Sequence, residues 1–193
     1  MSPDLPPPSG PELDGAALLR LVQGLRRGGA RHPLTADVAH VGADGEPAHY
    51  RLEIWVDGRT ATCTAVADGF RVSYAPQERV LTWRERSGAV EDVQQDQDFP
   101  VGFVPLAMGS PLALPVWGDD PSGGHPLRIL RGPGAVVEVV VGSPDDGGEP
   151  VEAGLARIDT ELMVALEYRW FGDSYVLTDP HRLVMPDWSS LLD

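Results

Sequence analysis

The chain of 193 residues contains no lysine and no asparagine, so all 15 basic residues are arginines. Against them stand 29 acidic residues, which give a formal net charge of −14. An excess of negative charge repels phosphate backbones and anionic lipid surfaces, and the sequence has no basic stripe with interleaved aromatic residues. We therefore expect no nucleic-acid partner and no anionic membrane surface as a partner.

Cysteine and long apolar runs are also scarce. Cys63 is the only cysteine, which excludes an internal disulfide and a metal site built from cysteines. No stretch approaches the roughly 20 apolar residues that a membrane span needs. The first thirty residues lack the apolar core of a signal peptide. These absences predict a cytoplasmic protein without a membrane span.

Sequence motifs for catalysis and for cofactors are missing as well. The five histidines include no pair at the spacing that would direct two imidazoles at one metal ion from a helix. The acidic cluster from Glu91 to Asp98 lacks the central glycine and the terminal glutamate of a calcium loop, so we interpret it as a solvated loop. No nucleophile elbow, phosphate-binding loop or dinucleotide fingerprint occurs. We expect no enzymatic activity and no cofactor.

The composition along the chain divides it into three parts. Residues 1–13 form a proline-rich leader that we expect to be disordered. Residues 14–183 form a single domain, and residues 184–193 form a C-terminal tail. The domain begins with an amphipathic helix from about Asp14 to Arg27, for which Asp14 is the candidate N-cap and the following glycine pair is the stop signal.

After residue 34 the apolar residues recur with a period of two, in about nine segments joined by short turns. Consecutive segments of this kind favour an antiparallel meander. One apolar stretch, Phe99 to Trp117, contains four prolines and is predicted to form short helical turns against the sheet. The predicted class is α+β, with a strongly bent antiparallel sheet packed on the N-terminal helix and on this proline-broken helical insertion.

Within the strand around residue 54, alternation assigns each side chain to one face of the sheet. Tyr50, Leu52 and Ile54 share one face, and Trp55 lies on the opposite face with charged neighbours. An indole on a polar face is unusual unless helices cover it or a ligand or partner stacks on it. The sequence leaves open whether the insertion buries Trp55 or leaves it exposed.

Three segments resemble the lipoprotein-carrier (LolA-like) superfamily, which includes sensor domains of the MucB/RseB type and mycobacterial lipid-binding lipoproteins. The first is the strand Tyr50 to Asp57. The second is the aspartate-glycine hairpin from Asp68 to Pro76, which continues into Val80 to Trp83. The third contains Ile158 to Thr160 and Leu166 to Tyr168. The resemblance implies a half-barrel that is covered by helices and encloses a cavity for acyl chains.

Two hypotheses for function follow. In the first, the domain is a noncatalytic module that binds an apolar or lipid-like molecule in a concave sheet cavity. The predicted ligand-binding residues come from the sheet and the insertion: Trp55, Tyr74, Phe99, Phe103, Leu106, Met108 and Leu112. In the second, a cytoplasmic interaction or regulatory domain meets a protein partner through its acidic surface and through Trp188, Leu191 and Leu192 of the tail.

Overall fold

A computed structural model describes residues 11–28, 33–57, 60–67, 69–96, 99–100, 102–118, 124–144 and 148–182. Helix α1 spans Gly15–Gly28 and the short helix α2 spans Val104–Ala107. Within these ranges, twelve strands accompany them. In chain order, β1 to β12 are Glu12–Leu13, Leu34–Val41, Pro47–Asp57, Thr60–Ala67, Phe70–Ala75, Val80–Glu85, Val90–Gln94, His125–Arg131, Val136–Pro144, Pro150–Asp159, Val164–Trp170 and Asp173–Arg182.

Helix α1 begins and packs as its sequence predicts. The carboxylate of Asp14 accepts a hydrogen bond from the backbone N–H of Ala17 at 2.9 Å, which satisfies one of the free donors of the first turn. Leu21 and Leu25 are buried in the main core, while Arg20 is exposed. Glu12 and Leu13, which the sequence assigned to the leader, form strand β1 and pair with β8.

The strands form one antiparallel sheet in the order β1-β8-β9-β10-β11-β12-β2-β3-β4-β5-β6-β7. This confirms the predicted α+β arrangement of an antiparallel sheet with helices. Strands β2 to β7 are one meander and β8 to β12 are another, and the pairing of β12 with β2 joins them. The prediction that Glu91 and Asp92 lie in a loop is wrong, because both belong to the edge strand β7.

One face of the sheet, here called the inner face, carries Leu52 and Ile54 and holds most of the core. Both α1 and the proline-broken insertion pack on it. Pro105 lies in the first turn of α2. Backbone N–H groups in a first turn have no partner within the helix, so proline costs no hydrogen bond there. The backbone N–H of Ala165 donates to the carbonyl of Met108 at 2.7 Å, which ties the insertion to β11. The short helical turns predicted for the insertion are thus confirmed.

The opposite face, here called the outer face, carries a small second cluster made of Leu130, Val140 and Leu155. A ladder of charged side chains continues beside it. Arg157 on β10 lies opposite Glu138 on β9 and Glu167 on β11. Its Nε and Nη1 bind these two carboxylates at 2.9 and 2.6 Å.

Within the described residues, no helix is long and apolar enough to cross a membrane.

Candidate functional site

Four aromatic side chains meet on the inner face, near the turns that precede β3 and β5. Phe103, just before α2, lies at the centre of this aromatic cluster. Its ring centroid is 4.8 Å from that of Trp83, 5.7 Å from that of Tyr50 and 6.2 Å from that of Phe70, with edge-to-face geometry in each pair. Edge-to-face contacts of this kind are favourable for aromatic quadrupoles. All four side chains are partly buried against the main core, and a minor part of their surface stays accessible.

A second aromatic group lies beside the cluster, on strands β11, β12 and β2. Tyr168, Tyr175 and His40 are direct cross-strand neighbours. The His40 ring stacks on Tyr175 with centroids 4.1 Å apart and planes inclined by 7°. Asp173 fixes this arrangement, because one of its oxygens lies 3.3 Å from Nε2 of His40 and accepts the N–H of Ala43 at 3.2 Å. The result is a row of polar aromatic rings.

The phenols of this row are held in the neutral form. Burial, and then the nearby Asp173 carboxylate and Tyr50, raise the pKa of Tyr175 from 10 to about 12. Burial is also the main cause that raises the pKa of Tyr168, and it alone raises that of Tyr50. Neutral phenols are hydrogen-bond donors and acceptors. The site therefore combines apolar ring surface with neutral polar groups.

These shifts predict a loss of stability at alkaline pH. The folded-state pKa of Tyr175, about 12, exceeds its reference value of 10, so folding favours the protonated phenol. This contribution is fully present below pH 10 and is lost as the pH rises through 12. Denaturant unfolding across this range should show a smaller alkaline loss for Tyr175→Phe than for the wild type. Ionisation of all phenols in the folded protein near pH 10 would contradict the assignment.

The structure separates the residues that the sequence grouped as ligand-binding. Tyr74, Leu106 and Met108 are almost completely buried in the main core. Phe103 belongs to the aromatic cluster, and the remaining insertion residues Phe99 and Leu112 are partly buried against the core. Trp55 lies on the outer face with 46% of its surface exposed, away from the insertion. The predicted partner residues Trp188, Leu191 and Leu192 lie outside the described residues.

The sequence interpretation did not include Tyr50, Phe70, Trp83 or the row of polar aromatic rings among the binding residues. A signal for them was available. Tyr50 shares its strand face with Leu52 and Ile54, and the face of Phe70 is that of the buried Val72. Aromatic residues at the ends of apolar strand faces would have indicated the cluster.

The described residues hold no obvious catalytic or metal constellation. Among them no group of three or more histidine, cysteine, aspartate or glutamate side chains could hold a metal ion. The nearest approach to an oriented base is His40 beside Asp173, and the His40 ring is stacked on Tyr175.

Comparisons with known proteins show a similar fold at low sequence identity. An uncharacterized conserved protein from Thermus thermophilus has a TM-score of 0.50 and 8% identity, over 90% of this chain and 91% of that chain. MucB has a TM-score of 0.44 and 13% sequence identity, and the match covers 92% of this chain and 62% of that chain. A DUF1329 family protein from Desulfovibrio piger has a TM-score of 0.41 and 10% sequence identity, and the match covers 92% of this chain and 98% of that chain. No protein-family model matches, and curated proteins give no significant match.

Proposed function

We propose that this chain is a noncatalytic binding domain of the LolA-like type, in which the sheet curves as a half-barrel and its inner face holds an apolar ligand. The observation that carries the proposal is the aromatic cluster around Phe103. Large aromatic side chains dominate the energetics of cores and of binding interfaces alike, so the surface they leave accessible is a favourable contact area for an apolar ligand. Here Tyr50, Phe70, Trp83 and Phe103 keep part of their surface accessible, although Leu106 and Met108 close by are fully buried.

The polar aromatic row gives this ligand a second chemical feature. Tyr175 adjoins the cluster, because it pairs with His40 on β2, two residues from Val38, which pairs with Tyr50. Ligand sites are mostly apolar, with a few polar groups that fix orientation. Tyr168 is only 2% exposed and packs in the core behind the other two rings of the row. The cluster, continued by the partly exposed Tyr175 and His40, matches an elongated apolar molecule that carries a neutral hydroxyl, ester or amide at one end.

The test is binding of N-phenyl-1-naphthylamine, a neutral apolar fluorophore, to delipidated protein. We expect saturable binding that Phe103→Ala weakens by about tenfold, because the variant removes the central ring of the cluster. Phe103→Leu keeps apolar volume and should retain most of the affinity. Trp55→Ala is the matched control, because it removes an aromatic side chain from the outer face and should leave both binding and stability almost unchanged.

Melting temperatures separate loss of the site from loss of the fold. A Phe103→Ala protein that melts as a single cooperative transition and binds the fluorophore poorly supports the proposal. Equal affinity of the wild type, Phe103→Ala and Trp55→Ala would refute it, and so would the absence of saturable binding. Either result would favour the alternative of a protein-interaction domain.

A further inference from the structure

A separate groove lies beneath α1, next to β1 and the turn between β10 and β11. Its volume is about 370 Å³, which is at the small end of the range for ligand pockets, roughly 300–1,000 Å³. The walls are mostly apolar, with Leu13, Leu21, Val137 and Met163 among the lining residues. None of the lining residues belongs to the aromatic cluster or to the insertion. The groove is therefore distinct from the proposed ligand surface of the inner face.

Gly24 of α1 contributes to the width of this groove. A Cβ atom at this position would lie 3.5 Å from Cε of Met163, which is an ordinary contact distance. An alanine would thus fit, and it would also favour the helix. The packing of α1 alone gives no reason for a glycine here. Its effect is to keep the space between the helix and Met163 open.

Two arginines line the groove in a protein with a net charge of −14. The Arg20 guanidinium lies 3.7 Å from the Asp14 carboxylate, but both side chains are more than two thirds exposed, so this pair is weak. Asp14 also accepts the N–H of Ala17. Arg131 is exposed and forms no ion pair with any of the described residues. Guanidinium groups bind carboxylates with two parallel hydrogen bonds.

We infer that this groove binds a single-chain carboxylate amphiphile, with the chain against the apolar walls and the carboxylate between Arg20 and Arg131. The volume suits one chain of roughly ten carbons and is too small for a two-chain lipid. The arginines select a carboxylate over a neutral head group. The remaining polar lining group, the Thr160 hydroxyl, already donates to the carbonyl of Ala135 at 2.7 Å.

The experiment is calorimetric titration of delipidated protein with hexanoate, octanoate, decanoate and decanol at low salt. Each added methylene that enters the groove should lower the Kd roughly fourfold. Decanoate should bind about tenfold more tightly than decanol, and Arg131→Gln, which leaves only Arg20, should reduce this difference without changing decanol binding. Arg51→Gln is the matched control, since Arg51 is an exposed arginine on β3, paired with Asp37.

Variants of Gly24 separate loss of ligand binding from loss of folding. Gly24→Leu should fill the groove and remove binding of both decanoate and decanol, with a melting temperature at or above that of the wild type. Gly24→Ala should raise the melting temperature and weaken binding only modestly. Equal affinity for decanoate and decanol, or full decanoate binding by Gly24→Leu, would overturn the inference. Phe103→Ala should leave decanoate binding intact, so the two sites can fail separately.

Discussion

Replacing Arg157 with methionine should lower the free energy of unfolding by about 3–5 kcal/mol, because it breaks a buried ion pair from one side. Arg157 lies between Glu138 and Glu167, whose side chains are only 5% and 6% exposed. In the variant Glu167 would still have an ion-pair partner, because Nε of Arg169 lies 2.9 Å from its Oε1. Glu138 keeps no cation among the described residues, and its Oε2 already lacks a hydrogen-bond partner. Urea unfolding of the wild type and the variant measures the loss.

The matched control for this prediction is Arg51→Met. Arg51 pairs with Asp37 at 3.4 Å on the same kind of strand, but both side chains are more than half exposed. Exposed pairs contribute little, so we expect a change below about 1 kcal/mol. Replacing Glu138, Arg157 and Glu167 together by leucine, methionine and leucine should recover much of the lost stability. Equal effects of Arg157→Met and Arg51→Met would show that the ladder is not buried in solution.

Gly154→Ala should destabilise the protein by about 3 kcal/mol, because the chain approaches this glycine too closely for a side chain. A Cβ atom there would lie 2.8 Å from Cε3 of Trp170 and still closer to the backbone carbonyl oxygen of Arg169. The carbonyl belongs to the paired strand β11 and cannot rotate away like a side chain. Gly154 also follows the bulge at which the pairing of β9 with β10 shifts register.

Gly15→Ala provides the control for Gly154→Ala. No atom lies within 4 Å of the position that a Cβ atom would take at Gly15, and its backbone lies outside the left-handed region. Alanine at this first helical position should be neutral or slightly stabilising. Thermal melts of the two variants should therefore move in opposite directions or differ widely. Equal melting temperatures would mean that β10 and β11 can separate locally at low cost.

The local elements were predictable where the signals were local. Helix α1 has its N-cap at Asp14 and apolar residues at helical spacing, and both signals act within a few residues. Strand β7 was missed because it is an edge strand whose first three residues, Val90 to Asp92, are all exposed. An edge strand that buries neither face shows no alternation. Strand β1 was missed because a strand of two residues is too short to show an alternation of apolar and polar residues.

The site was harder to predict, because it depends on which face the insertion covers. Alternation correctly placed Trp55 opposite Leu52 and Ile54. It could not show that the insertion packs on the apolar face, where a Cβ atom on Gly109 would lie only 2.8 Å from Ile54. Nor could it align Tyr168, Tyr175 and His40. That row depends on the pairing of strands far apart in sequence.

The position of β12 has a consequence for how the protein is made. This strand lies between β11 and β2, and it brings Leu177 opposite Val38, although the whole of β3 to β11 separates them along the chain. During synthesis, β2 to β7 can pair as a meander as soon as they leave the ribosome, but β2 then keeps an open edge. Only the emergence of residues 173–182 closes that edge. Until then a nascent chain presents an unpaired apolar strand, so the time spent translating β8 to β11 is its period of greatest exposure to aggregation and to chaperones.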